Sequence, residues 1–284
     1  MENFTTKMNG IFSGQKVIPN YILNLLGLHV FRILVADFFY NLRTMLLFPK
    51  LTEEQKILRK EGIIFIKNFL PNEQFESIKN EFENAKNFEG VDSETIDGDS
   101  IWSRRKFNRV QYANLPITKS LISNPRLLNL INSAEARKVT VNAVWFDQVT
   151  YPDKKIKDKH NTAMAEMCHI DIFYNAHKVF YFMYDVMDEH GPLNFVPRSH
   201  HLSLKRLWFE YEKSIGDKPL VANEREQSFL GLKPIKAIVP ANTLVIMNGR
   251  AFHRRGDAIV GSRRSNIFLQ FRYNPFSLKT HVKL

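Results

Sequence analysis

Hydrophobic positions follow two different patterns along this chain of 284 residues. In the first half they recur at helical spacing, as in Phe75, Ile78 and Phe82, which fall on one face of a helix. From about residue 140 they form short runs of β-branched and aromatic residues, separated by turn residues such as Gly, Pro and Asn. The pattern predicts helices first and then a β core of the barrel or sandwich type.

Local signals place the boundaries of these elements. Thr52 and Gln55 form a capping-box pattern that begins a helix, and Pro71 begins another. The acidic, glycine-containing segment 88–100 is predicted to be a loop, and 121–134 to be helical. The predicted strands are 62–66, 140–150, 178–186, 193–196, 237–247 and 266–273, and one late helix covers about 203–214.

The segment 21–48 is the most apolar part of the chain. Arg32, Asp37 and Arg43 interrupt it, whereas a membrane span needs about 20 nearly uncharged residues. We therefore predict one or two amphipathic helices packed on the protein's own core, with a surface that rests on a membrane or covers a pocket as the alternative. The expected division is a leader with this apolar segment (1–50), followed by one domain (51–284).

Composition narrows the class of protein. Hydrophobic residues make up 44% and charged residues 24%, which is typical of a globular fold and excludes a disordered chain. The single cysteine, Cys168, excludes an internal disulfide and a cysteine-rich zinc site. Residues 1–20 lack the features of a secretory signal, so we expect a cytoplasmic protein with, at most, peripheral membrane contact.

The net charge of +11 predicts an attraction for anions. The basic residues are dispersed in short clusters, and the sequence has no long basic tail, so nucleic acid is the least favoured of the anionic partners. A small anionic molecule is the expected partner. The oligomeric state stays open.

Two histidines and an aspartate form the strongest candidate site. His169 and Asp171 are two residues apart, so in an extended segment their side chains point to the same side. His253 follows the later apolar run 244–247. Two imidazoles and one carboxylate from different strands can occupy one face of an octahedral ion and leave the opposite face open, as in non-haem Fe(II) oxygenases. Arg264 then begins the last strand, and its planar guanidinium is suited to a carboxylate.

These residues resemble the phytanoyl-CoA dioxygenase family, whose members are Fe(II)- and 2-oxoglutarate-dependent oxygenases. The most specific element is the Gly-Pro pair at 191–192 followed by Val-Pro-Arg-Ser-His at 196–200. The segment 61–70 is similar to the first strand of many members, and the resemblance covers roughly 51–276. One departure is Arg198, where the family usually has Gly.

The resemblance implies a mixed α+β protein with a double-stranded β-helix of the jelly-roll or cupin type and N-terminal helices packed on it. His169, Asp171 and His253 would hold Fe(II), and Arg264 would bind the distal carboxylate of 2-oxoglutarate, with O2 as cosubstrate. Arg263 competes with Arg264 for this role. Further candidates for cosubstrate contacts are Lys178, Arg109, Gln111 and Ser265, and those for substrate contacts are Trp102, Arg105, Phe173, Tyr174 and Arg198.

The implied reaction is oxidation of an unactivated C–H bond in a small anionic metabolite or natural-product intermediate. Hydroxylation is the ordinary outcome, and desaturation or oxidative cyclisation are variants of it. Two alternatives stay open: a membrane-associated hydroxylase of lipids or acyl conjugates, and a catalytically inactive binding module with the same fold.

Overall fold

The computed structural model describes residues 15–152, 165–216, 220–271 and 273–277. Its α-helices are α1 (Tyr21–Leu25), α2 (Leu28–Leu47), α3 (Glu53–Glu61), α4 (Asn72–Glu83), α5 (Arg109–Tyr112), α6 (Pro116–Ile122), α7 (Pro125–Ala134), α8 (Leu204–Ile215) and α9 (Glu224–Leu230). Its strands are β1 (Ile63–Ile66), β2 (Val91–Asp97), β3 (Ser100–Phe107), β4 (Ala143–Thr150), β5 (His177–Phe182), β6 (Leu193–Phe195), β7 (Ile235–Lys236), β8 (Thr243–Asn248), β9 (His253–Arg255) and β10 (Arg263–Gln270).

The strands form two antiparallel sheets. The large sheet has the order β1-β8-β5-β10-β4-β3-β2, and the small sheet has the order β7-β6-β9. Both contribute side chains to one cavity between them. This arrangement confirms the predicted mixed α+β fold with a jelly-roll core.

The two faces of the large sheet have different environments. Side chains alternate along a strand, so neighbouring residues of β10 face opposite sides. Ile267 and Leu269 belong to the main hydrophobic core together with residues of α3, α4, α6 and α7. Arg264 and Phe268 point to the other side, where they line the cavity. The helices thus seal one face of the sheet and leave the other face for a ligand.

Helix starts follow the capping signals of the sequence. The Thr52 side chain accepts a hydrogen bond from the Gln55 backbone, and the Gln55 side chain accepts one from Thr52, which confirms the predicted capping box. The prediction of one helix over 121–134 is wrong in one respect, because the segment contains the end of α6 and the whole of α7. Asn124 caps the second helix, and Pro125 occupies its first turn, where its missing N–H costs nothing.

The prediction of a loop over 88–100 is wrong. β2 and β3 form a hairpin in register from Val91 opposite Lys106 to Asp97 opposite Ser100. Gly98 lies in the turn with φ of +63°, in the left-handed region that favours glycine. The first five residues of β2 are exposed, so no hydrophobic alternation marks the strand in the sequence. β3 joins the hairpin to β4 and so extends the large sheet.

The apolar N-terminal segment forms two helices, as predicted. Gly27, with φ of +83°, separates α1 from α2. Ile33 and Ala36 of α2 pack against Phe173 and Tyr174 of the core. Within the ranges that the structure describes, no helix is both long and apolar enough to cross a bilayer.

Candidate metal centre and cosubstrate cavity

A backbone bridge brings the two histidines of the candidate site together. The His169 N–H donates to the His253 carbonyl at 3.0 Å, and the His253 N–H donates to the His169 carbonyl at 2.9 Å. The two imidazole centroids are consequently 4.5 Å apart. The Asp171 N–H donates to the Gly249 carbonyl at 2.8 Å, which holds its carboxylate beside the rings. Residues remote in sequence are thus joined by strand pairing, as predicted.

The side chains present three ligand atoms to one point. One atom from each of His169, Asp171 and His253 lies within 4.8 Å of the other two. Nδ1 of His169 bonds the Met167 carbonyl at 2.7 Å, and Nδ1 of His253 bonds the Ala251 carbonyl at 2.9 Å. Because Nδ1 carries the donated proton, the lone pair of each Nε2 is free for a metal. The donor set fits Fe(II) with one coordination face left open.

Electrostatics keep His169 and Asp171 in the protonation states that a metal requires. Burial, together with the neighbouring His253, lowers the pKa of His169 to about 3, so its imidazole is neutral at pH 7. Burial opposes charge on Asp171, but Lys178 and His253 outweigh it and hold the carboxyl pKa well below its ordinary value. The Lys178 Nζ lies 2.5 Å from Asp171 Oδ2. His169 therefore offers a neutral nitrogen and Asp171 a carboxylate.

The triad opens onto a cavity of about 480 Å³. Its wall combines the hairpin β2–β3 and strands β4, β5 and β10 of the large sheet with β6 and β9 of the small sheet. Cationic side chains on this wall outnumber acidic ones. They are Lys16, Arg104, Lys178, Arg254, Arg255 and Arg264, against Asp97 and Asp171.

Arg264 is the cation of the cavity that is best placed for a carboxylate. Its guanidinium donates to the Gly191 carbonyl, and its buried Nε has no hydrogen-bond partner. The amide Nδ2 of Asn266, the next residue on the same face of β10, is also buried without a partner. Lys178 lies on β5 opposite Gln270, at the other end of β10 from Arg264. Lys178 and Arg264 therefore flank the cavity.

Strand alternation separates Arg264 from its competitor. Arg263 is exposed, does not line the cavity, and places its guanidinium 5.5 Å from the ring centre of Tyr184. Of the two adjacent arginines, Arg264 alone faces the triad side of the sheet. The sequence-based choice of Arg264 over Arg263 as the carboxylate-binding residue therefore agrees with the side of β10 on which each residue lies.

An aromatic wall lies next to the cationic groups. The rings of Trp145 and Phe268 are stacked with centroids 4.7 Å apart, and Phe180 meets Phe268 edge-on at 5.2 Å. The Arg104 guanidinium lies 3.7 Å from the Trp102 ring centre and 5.0 Å from that of Trp145. Apolar surface and positive charge therefore occur side by side.

Asp147 is a residue that the sequence analysis missed. It is 1% exposed on β4, and the Arg104 Nε lies 3.3 Å from its Oδ1. Burial raises its carboxyl pKa to about 6, although Arg104 opposes the shift. A carboxylate is seldom buried without a partner, so an aspartate in the middle of an apolar strand was the signal in the sequence that could have identified Asp147.

Arg255 was also missed. It is 5% exposed, and its guanidinium lies 2.7 Å from Glu166 and 3.3 Å from Asp97. Asp97 ends β2, whereas Arg255 ends β9, so this ion pair connects the hairpin to the small sheet across the cavity. No local motif signals such a long-range pair.

The predicted site residues fall into two groups. The triad, Lys178, Arg264 and Trp102 line the cavity. The residues that do not line it are Arg105, Arg109, Gln111, Phe173, Tyr174, Arg198 and Ser265.

Three of these residues are buried elsewhere. Ser265 is 3% exposed on the face of β10 opposite Arg264. Phe173 and Tyr174 follow the metal ligands in sequence but pack in a separate core beneath α2. Their aromatic character reflects core packing and not the entrance to the cavity.

The other four have local partners or face solvent. Arg105 pairs with Asp92 of the neighbouring strand, and Gln111 caps its own short helix. Arg109 is exposed. Arg198 pairs with Glu61 at 2.7 Å and adopts φ of +65°, the left-handed conformation that glycine provides at the corresponding position of the family.

A family model for phytanoyl-CoA dioxygenase matches residues 58–257. The chain belongs to this family. It is a 2-oxoglutarate-dependent oxygenase, and its cofactors are Fe(II) and 2-oxoglutarate. A search of curated proteins by sequence returned no match.

Two solved structures illustrate the likeness of the fold. The α-ketoglutarate-dependent epimerase SnoN from nogalamycin biosynthesis aligns with a TM-score of 0.51 and 14% identity over 76% of this chain and 79% of that one. EctD from S. alaskensis, with 2-oxoglutarate and 5-hydroxyectoine, aligns with a TM-score of 0.52 and 15% identity over 80% of each chain. At this identity the likeness establishes the fold alone.

Proposed function

We propose that this oxygenase oxidises an unactivated C–H bond of a small anionic metabolite or natural-product intermediate. The observation that carries the proposal is the convergence of His169, Asp171 and His253 on a cavity that also holds Arg264. Hydroxylation is the ordinary outcome. Desaturation and oxidative ring closure also begin with hydrogen abstraction and are the variant outcomes.

The triad is the proposed Fe(II) site. Nε2 of His169, Nε2 of His253 and a carboxylate oxygen of Asp171 would hold the ion, and the bound ion together with 2-oxoglutarate supplies the oxidising chemistry. Lys178 contacts Asp171, so it fixes the carboxylate and offsets part of its charge. The neutral imidazole of His169 leaves no proton to compete with the metal at neutral pH.

Arg264 is the proposed anchor for the distal carboxylate of 2-oxoglutarate. Its planar fork can donate to both carboxylate oxygens, and it faces the cavity from β10. The buried, unpartnered Nδ2 of Asn266 on the same face can donate a further hydrogen bond. A ligand that pairs these donors removes the cost of leaving them buried without partners.

The cavity wall supports an anionic substrate with an apolar body. Arg104 supplies charge, and the stacked pair Trp145 and Phe268 supplies a flat apolar surface. A carboxylate or phosphate near Arg104 would lie in a partly desolvated setting, where a charge-assisted hydrogen bond is strong. The aromatic wall excludes water from the side of the substrate that faces it.

Succinate release tests this function. The purified chain is incubated with Fe(II), ascorbate and 2-oxoglutarate and with a panel of small carboxylic acids, each matched by its neutral amide. Succinate should form faster with one or more acids than with the matched amides. Absence of succinate with every compound, together with absence of iron binding, would favour the inactive binding module instead.

A further inference from the structure

Helix α2 presents an apolar stripe to solvent. Phe31, Leu34, Phe38 and Met45 recur at helical spacing on its outward side. Phe31 is 58% exposed, Phe38 is 63% exposed and Met45 is 65% exposed. Large apolar residues on the surface are ordinary when they are scattered, but a continuous stripe marks an interaction site.

The inward side of the same helix is unusually polar. His29 and Arg32 are fully buried, and Arg43 is 4% exposed. Arg32 lies 3.9 Å from the Phe173 ring centre, and Asp37 pairs with Arg250 at 2.7 Å. A helix that only covers the core exposes its polar side, whereas α2 buries these polar residues beside Ile33 and Ala36 and exposes large apolar ones.

The stripe continues onto neighbouring elements. In α1, Ile22 is 67% exposed and Leu26, just after its end, is 78% exposed. A groove of about 740 Å³ runs between α2 and the pair α8 and α9, where Trp208 is 54% and Leu204 is 87% exposed. We refer to the outward sides of α1, α2 and α8 with this groove as the apolar face.

Charge identifies the occupant of the apolar face. Residues 20–50 contain one acidic residue, Asp37, which forms an ion pair with Arg250. The exposed charged residue of this segment is Lys50. Lys205 is exposed beside the groove. A second copy of the chain would also carry a charge of +11 and be repelled, whereas an anionic bilayer attracts it.

We propose that the apolar face binds the surface of an anionic lipid bilayer. The 20 residues of α2 extend over about 30 Å, so the helix can lie in the plane of the interface. Trp208 and Tyr21 are of the types that are enriched at the level of lipid headgroups. This inference does not depend on the proposed reaction, because none of these residues lines the cavity.

Vesicle flotation of the full chain tests the proposal. Wild-type protein should float with vesicles of phosphatidylcholine mixed with phosphatidylserine, more weakly with phosphatidylcholine alone, and less in high salt. A Phe31→Gln, Phe38→Gln and Met45→Gln triple variant should partition at least about a hundredfold more weakly, because three apolar side chains lose their burial. The matched control, Val110→Gln with Ile259→Gln, changes exposed apolar residues elsewhere and should float like wild type.

Three outcomes would overturn this inference: no flotation of wild type, equal flotation of the triple variant, and equal binding to neutral and anionic vesicles. A wild-type dimer in solution that becomes a monomer in the triple variant would assign the face to a second copy instead. The circular dichroism spectrum and the thermal unfolding transition of the triple variant, compared with those of wild type, show whether it is folded. Flotation measured without Fe(II) separates this result from failure of the proposed reaction.

Discussion

The two faces of the large sheet differ although they share the same strands. On the helix-covered face of β10, Ile267 and Leu269 are fully buried among apolar neighbours. On the cavity face, Arg264 and Asn266 bury polar atoms that have no partner in the protein. Because side chains alternate along each strand, one set of residues stabilises the core and the other set faces the ligand cavity.

The difference has an energetic cost. Each buried donor without a partner costs about 1–3 kcal/mol. The packed face offsets this cost, since burial of a large aliphatic side chain contributes about 1.5–3 kcal/mol. Substitutions on the two faces should consequently change different measured quantities.

The largest effect is expected at the triad. His169→Ala removes one metal ligand, so succinate release should fall to background while the protein stays folded. His201→Ala is the matched control, because its imidazole is exposed and lies outside the cavity. Iron content after anaerobic dialysis, measured with succinate release, checks the prediction. Full activity of His169→Ala would show that the cavity face does not hold the reaction centre.

The next effect concerns the packed face. Ile267→Ala should lower the free energy of unfolding by about 2–5 kcal/mol, because it leaves a cavity in the main core. The KM for 2-oxoglutarate should remain that of wild type. Denaturant unfolding and steady-state kinetics on the same sample check both parts. A raised KM without loss of stability would contradict the division between the two faces.

Asp147 gives a pH-dependent effect on the cavity face. Burial raises its pKa from 3.8 to about 6, so the folded protein keeps a proton that the unfolded chain has lost in this range. The contribution of this residue to stability is therefore present below about 3.8 and is lost as pH rises through about 6. Asp147→Asn should remove about 3 kcal/mol of this pH dependence.

Unfolding of wild type and Asp147→Asn at several pH values measures that difference. The wild type should lose stability relative to the variant between the two pKa values. A constant difference between them across this range would mean that Asp147 is ionised in the folded protein, despite its burial.

The smallest effect distinguishes two adjacent arginines. Arg264→Ala should raise the KM for 2-oxoglutarate about 10- to 100-fold, because charge-assisted hydrogen bonds to a carboxylate are lost. Arg263→Ala is the matched control and should leave that KM unchanged, since its side chain faces solvent. Steady-state kinetics with varied 2-oxoglutarate checks both variants. Equal effects would assign the anchor to neither residue.

Residues that belong to a recognisable pattern could be predicted from the sequence. The triad and Arg264 were proposed from the His-x-Asp pattern together with the resemblance to the phytanoyl-CoA dioxygenase family, and all four line one cavity. The capping box at Thr52 is a local pattern. Pro125 also signals a helix start, because proline is favoured in the first turn of a helix. The continuous apolar periodicity over 121–134 nevertheless led to the prediction of a single helix.

Contacts between distant segments that no motif marks could not be predicted. Strand β2 is mostly exposed and lacks hydrophobic alternation, so the sequence predicted a loop where the β2–β3 hairpin forms one wall of the cavity. The ion pair of Arg255 with Asp97 joins residues that are 158 positions apart in the sequence. Phe173 was placed near the cavity by sequence proximity to Asp171, although the chain turns it into a separate core.

Equilibrium binding of 2-oxoglutarate under anaerobic conditions tests the central claim most directly. With Fe(II) present, the wild-type protein should bind one equivalent, and binding should weaken strongly without the metal. Asp171→Ala should lose this dependence on the metal because the ion is no longer held. Binding of 2-oxoglutarate that is equally tight with and without Fe(II), or unchanged in Asp171→Ala, would contradict a shared metal and cosubstrate centre in this cavity.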